Sequence, residues 1–237
     1  TRLNNPKLAL DNFTKSLDGL QKQKSKNNET LIYNVLNNMA VLELNNGNII
    51  KALEIFTKCR DLSKKNKDYQ GLVMSYQNMS IANTQLKEYD LSLKYFHLAK
   101  HMANKHSLNF DYTSVNYNLG FLYNHNLNNS DSAKYYFNKS FELAKKHQFP
   151  MIIRESANEL TTIYEKEEQY KKANFYLNVS KELNEKELKA QNEKKINQLE
   201  VGFNQKINKQ EDIIREKRNL YIFIIGSVLF ISAIFVG

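Results

Sequence analysis

The chain has 237 residues, with 34 Lys and Arg against 25 Asp and Glu, a net charge of +9 and 41% hydrophobic residues. Two prolines and seven glycines leave few helix breakers, and a single cysteine excludes an internal disulfide. The lysines are spread along the whole chain and alternate with Glu toward its C-terminus. No basic stripe with interleaved aromatics marks a nucleic-acid interface, so direct nucleic-acid binding by this segment is not expected.

Pro6 suits the first turn of a helix, and Leu8-Ala9, Phe13 and Ser16 put small and large side chains on one face of it. The same face returns downstream. Ala52, Phe56 and Cys59 are followed by Ser92, Phe96 and Ala99, by Ala133, Phe137 and Ser140, and by Ala173, Leu177 and Ser180, at steps of 40, 41 and 40 residues. Ahead of each set stands another helical segment with a large-then-small pair: Met39-Ala40, Met79-Ser80, Leu119-Gly120 and Leu160-Thr161. Two helices per unit, repeated in phase, predict a helical solenoid. The 41-residue step places one extra residue in Asn126–Asp131, where Asn and Ser cluster as in a turn. Pro150 falls in the gap before the last unit, and Cys59 reads as a buried packing residue. The opening helix has no first helix before it and residue 1 is Thr, so the sequence reads as a fragment or processed form.

These residues resemble the tetratricopeptide repeat (TPR). Small side chains at Ala40, Ser80 and Gly120 allow the first helix to approach its neighbour, Ala52 and Ala173 do the same for the second, and Phe56, Phe96 and Phe137 fill the space between. Tyr123 and Tyr164 stand three residues after the small position, and Tyr89 and Tyr170 at the turn between helices. Glu43 and Asn83 depart from the pattern where an aromatic is expected, and the period exceeds the usual ~34 residues, which predicts longer helices. The resemblance spans residues 6 to 183. It implies an all-α, TPR-like solenoid of about four and a half repeats over 1–183, the first of them truncated.

From Lys171 to Asn219 there is no proline and one glycine, Gly202, so a single helix can run throughout. Ile196, Leu199 and Phe203 follow a heptad seam that Ile213 and Leu220 rejoin, with Lys206, Gln210 and Lys217 on the seam between them. The segment 184–219 therefore reads as a stalk forming a weak coiled coil, and a homodimer through stalk and span is the matching oligomer. Residues 220–237 (LYIFIIGSVLFISAIFVG) carry no charge. At ~1.5 Å per residue they approach the thickness of a hydrocarbon core, which predicts one transmembrane helix, cut off at Gly237. Tyr221 stands where an interfacial anchor would, behind Arg215, Lys217 and Arg218.

No Gly-rich phosphate loop, metal-spaced Cys pair or nucleophile motif is present, so no catalytic, cofactor or metal residue is assigned. His97 and His101 are four apart but fall beside packing positions on an outward face, and Glu165, Glu167 and Glu168 belong to a lysine-flanked turn. Binding is the remaining activity. In the resemblance, first helices line the concave surface and an asparagine there often holds an extended peptide backbone. This carries over to Asn38, Asn78 and Asn118, with Asn37, Val41, Gln77, Ile81, Tyr117, Phe121 and Asn124 as further groove residues. An amide offers both donor and acceptor, which suits a peptide backbone. The one-residue insertion moves the fourth slot from Asn158 to Glu159. Repeats, then a Lys/Glu-rich helix, then one span also resemble the sensory half of bacterial TPR signalling proteins, whose output is a histidine kinase or a LuxR-type helix-turn-helix domain. That resemblance implies a bacterial inner-membrane sensor with extracytoplasmic repeats. The alternative is a membrane-anchored adaptor with cytoplasmic repeats, which the basic cluster before the span favours.

Overall fold

The computed structural model describes residues 6–22 and 28–236, apart from the side chains of Lys7 and of residues 227–236. Among the described residues there is no strand. The order is α1 (Pro6–Lys22), α2 (Asn28–Asn45), α3 (Ile49–Asn66), α4 (Tyr69–Gln85), α5 (Tyr89–Lys105), α6 (Asn109–His125), α7 (Ser130–His147), α8 (Pro150–Lys166) and α9 (Tyr170–Val236). The chain divides into two units, one ending at Lys181 and the other starting at Glu182.

The first unit is the solenoid. From α1 to α8 each helix packs against the next, and the first helices also touch across repeats: α2 meets α4, α4 meets α6, and α6 meets α8. These four form the inner layer, and α3, α5 and α7 form the outer one. The small and large positions read from the sequence make the core. Ala52, Phe56, Cys59, Ala99, Ala133, Phe137 and Leu119 are all fully buried. Burial pushes the Cys59 thiol up to about 12, which keeps it protonated and unreactive. A Cβ at Gly120 would lie 2.7 Å from the Phe137 ring, so glycine is what lets α6 close on α7. Where Ser replaces Gly, the approach is polar instead: Ser80 Oγ donates to the Ser92 carbonyl at 2.6 Å, and Thr84 joins Ser92 Oγ at 2.7 Å.

The two expected departures from the aromatic slot are buried polar groups with polar partners. Glu43 is 1% exposed, pairs with Lys51 at 2.5 Å and accepts from Asn48 Nδ2 at 2.7 Å. The Lys51 ammonium holds its carboxyl below the usual carboxylate range. Asn83 turns back on its own helix, donating to the Met79 carbonyl. Tyr123 stacks on Tyr136 at 5.5 Å and Tyr164 on Tyr176 at 5.7 Å, the same contact one repeat apart.

The turns share a device that the sequence hides. A residue with positive φ recurs at Gly47, Lys67, Lys87, Ser107, Asn128, Gln148 and Glu168, one in each connection from α2–α3 to α8–α9. Six of the seven are not glycine. The one-residue insertion lies where the spacing predicts: Asn126–Asn129 separates α6 from α7, a four-residue connection where α2–α3, α4–α5 and α8–α9 have three. Asp68 and Asn129 cap α4 and α7 by accepting from Gly71 N and Ser132 N. Pro150 lies inside α8 as its first residue rather than in the gap, a position whose missing N–H has no helical partner to lose.

In the second unit, every apolar side chain of the expected seam is exposed: Ile196, Leu199, Phe203, Ile213 and Leu220 are between 44% and 66% accessible. Among the described residues no helix is long and apolar enough to cross a membrane. Of the expected span 220–237, residues 227–237 lie outside the described side chains, and Leu220 to Ile225 are exposed.

Candidate functional site

The groove residues expected from the sequence fall on the inner helices at i, i+4 spacing: Gln77 and Ile81 on α4, Tyr117 and Phe121 on α6. Between α4 and α6 lies an open cavity of about 460 Å³, lined by Ile81, Tyr117, Asn118 and Phe121 together with Thr84, Gln85, Phe96, Leu122 and Asn126. Four of the ten expected residues thus share one pocket. Thr84 and Gln85 follow Gln77 by two helical turns, so extending the stripe upward in sequence would have found them. Phe96 comes from α5, and only the packing of α4 on α5 brings it to the floor.

The walls are apolar and partly exposed, with Ile81 at 37% and Phe121 at 43%. Phe121 leans on His125 at 4.2 Å between ring centroids, and Tyr117 packs on Phe137 at 5.6 Å. Burial, and then Glu159 and Glu155, push the Tyr117 phenol up to about 12, so it stays a neutral hydrogen-bonding group.

The amides are less idle than their sequence positions suggest. Asn78 Nδ2 donates to Asn37 Oδ1 at 2.8 Å, and Asn118 Nδ2 donates to Gln77 Oε1 at 2.9 Å. Each links one first helix to the preceding one by the same rule, so Asn37, Gln77, Asn78 and Asn118 form a ladder along the inner layer. The rule ends at α8. Glu159, in the slot equivalent to Asn118, instead accepts on Oε2 from Asn124 Nδ2 at 3.2 Å and meets His125 Nε2 at 2.9 Å. Asn158 accepts from Ser180 Oγ on α9, which leaves the groove slot of α8 to Glu159. Asn38 is exposed, and Val41 is half-buried against the core around Phe56, outside the cavity.

Other sequence candidates stay apart from this site. His97 and His101 are exposed on α5, and among the described residues no three His, Cys, Asp or Glu gather as a metal site would need. Glu167 is a clasp: its Oε1 takes Lys134 at 2.7 Å and Ser130 at 3.1 Å, tying α7 to the turn after α8. The pair lowers the Glu167 carboxyl and raises the Lys134 amine.

No known family and no curated protein matches the sequence. Solved structures do match. BtubC (BKLC) from P. vanneervenii aligns at 17% identity and a TM-score of 0.64, over 77% of this chain and 74% of that one. The fold is that of a tetratricopeptide-like solenoid. The TPR-like repeats of a putative kinesin light chain from Podospora anserina align at 13% identity and a TM-score of 0.58, covering 79% and 91%. A Rap protein complexed with Competence and Sporulation Factor aligns at 18% and 0.60, covering 73% of this chain and 49% of that one. At these identities the likeness establishes the fold.

Proposed function

We propose that this TPR-like domain binds an extended peptide or protein segment along its inner helices, with one large apolar side chain of that segment entering the cavity between Ile81 and Phe121. The carrying observation is that cavity. It joins four residues chosen from the sequence for the groove, and its volume lies within the range of ~300–1,000 Å³ typical of ligand sites. The ladder amides flank it and offer donors and acceptors at the spacing of successive repeats. A solved neighbour, the Rap protein, is itself a complex with a named factor, which supports the reading by analogy of fold.

Membrane anchoring and signalling extend this reading. The helix that closes the last repeat runs unbroken from Tyr170 to Val236 and enters the uncharged run from Leu220. The chain would then be the sensor part of a signal-transduction protein, anchored through 220–237 in a bacterial inner membrane with its repeats extracytoplasmic, and dimerised through the stalk. A ligand transmits along such a helix only if it binds two stalk arrangements unequally. The adaptor reading, with cytoplasmic repeats, rests on Arg215, Lys217 and Arg218 next to the apolar run.

The test starts from peptides selected out of a random library on the full chain in detergent. Asn78→Ala and Asn118→Ala weaken the selected peptides about tenfold while the helical circular dichroism is kept. Unchanged affinity in both variants would refute the groove assignment.

A further inference from the structure

The solenoid sorts its charges by layer. The inner helices α2, α4 and α6 contain no Lys or Arg at all, and α8 has Arg154 and Lys166 only. The outer helices are rich in them: α3 has five, α5 three and α7 four. Of the acidic residues on the inner helices, Glu29 and Glu43 pair with Lys65 and Lys51 of α3, Glu155 pairs with Arg154 of its own helix and Asp111 is buried, whereas Glu159 and Glu165 have no Lys or Arg partner among the described residues. In a chain of net charge +9 the inner helices hold six acidic and two basic residues, and their acids without a Lys or Arg partner lie on α8.

The asymmetry has a focus. Glu159 on α8 meets Asn124 and His125 of α6, and His125 in turn packs on Phe121, a wall of the cavity. Both of its contacts fall on Oε2, and Oε1 has no hydrogen-bond donor among the described residues. His125 Nε2 and Asn124 Nδ2 thus share one oxygen of the carboxylate and leave the other to a ligand. The nearest cation along α8, Arg154, is engaged with Glu155 at 3.4 Å. Glu159 replaces the amide that α4 and α6 carry in the same slot, so the ladder of neutral groups ends in a negative one. A neutral site with one charged end distinguishes ligands by charge, and repels the wrong sign as strongly as it draws the right one.

We infer that the groove is specific for a cationic segment: an extended peptide with a large apolar side chain in the cavity and a Lys, Arg or free amino group a few residues away, held at Glu159. This rests on the peptide-binding reading and adds the chemistry of the partner. An acidic peptide finds no Lys or Arg on α4 or α6, the two helices that wall the pocket.

The probe is a capped heptapeptide library with one fixed Phe and flanking positions varied among Arg, Gln and Glu, bound to the full chain in detergent. Arg-bearing members bind about tenfold more tightly than their Gln counterparts, Glu-bearing members are depleted, and the preference shrinks as salt rises from 50 to 500 mM. Glu159→Gln keeps the size and the acceptor for Asn124, and brings the Arg-to-Gln ratio to about one. A Gln or Glu preference, or an Arg preference that survives Glu159→Gln, overturns this inference and leaves the groove standing. Failure of every library member to bind above a Gly-only control overturns the peptide-binding reading as well.

Discussion

The solenoid and the stalk are both helical, yet their side chains live in opposite surroundings. Phe137 and Phe203 are the same residue on the same secondary structure, one fully buried and the other 64% exposed. In the solenoid, helices are held by what they bury. From Glu182 onward the seam residues Ile196, Leu199, Phe203 and Ile213 are exposed, and local pairs such as Lys186–Glu182 at 2.7 Å accompany them. Exposed pairs of that kind are screened by water and contribute little. Helix content alone therefore says little about stability here; the difference lies in partners.

The largest expected effect breaks the solenoid side of this contrast. Phe137→Ala removes the ring that Gly120 and Tyr117 pack against and costs about 3–5 kcal/mol, read from urea unfolding of the full chain. Gly120→Ala sharpens the same contact. In the natural background the added Cβ meets the Phe137 ring and costs about 1–3 kcal/mol. In the Phe137→Ala background the sign reverses, because the obstruction is gone and alanine favours the helix by about 1 kcal/mol. A cost that persists in both backgrounds would mean that the close approach is not to Phe137.

A polar contact comes next. Lys51→Met strips the buried Glu43 of its cation and costs roughly 1–2 kcal/mol, discounted because Lys51 itself is exposed and screened. Since the Glu43 carboxyl is lowered in the folded state, its contribution is present above the ordinary carboxylate range and is lost as pH falls through the lowered value. Acid unfolding of the variant accordingly begins at a higher pH than that of the natural chain. Glu168→Gly relieves a left-handed backbone position and stabilises by about 0.5–1 kcal/mol in the same unfolding assay. Phe203→Asp has the smallest effect on solenoid unfolding, under about 0.5 kcal/mol, while abolishing any self-association seen by sedimentation.

How much of this was legible beforehand depends on what each feature needs. The buried slots at Ala52, Phe56, Phe96 and Phe137 carry their own signal, because burial restricts residue type and the period repeats it. The turns do not. Lys67, Lys87, Ser107, Asn128, Gln148 and Glu168 adopt one backbone conformation with five residue types, since the hydrogen bonds of the turn, rather than a glycine, hold it. Of the groove residues that the TPR resemblance implies, Ile81, Tyr117 and Phe121 line one cavity, whereas the amide ladder needed the lateral register of neighbouring helices. Pairing Asn78 with Asn37 and Asn118 with Gln77 requires knowing which rungs lie side by side. The layered charge was present in the sequence throughout, but becomes visible only once helices are assigned to an inner or an outer layer.

The central claim is that the inner helices, and not the outer ones, bind the peptide. Its most direct test compares Phe121→Asp with Leu98→Asp, exposed apolar residues at 43% and 37% on α6 and α5 respectively. Binding of a library-selected peptide to the full chain is followed by isothermal titration calorimetry. Loss of at least tenfold in affinity for Phe121→Asp, with Leu98→Asp equal to the natural chain, is the predicted result. Equal affinity in Phe121→Asp, or loss confined to Leu98→Asp, would contradict it.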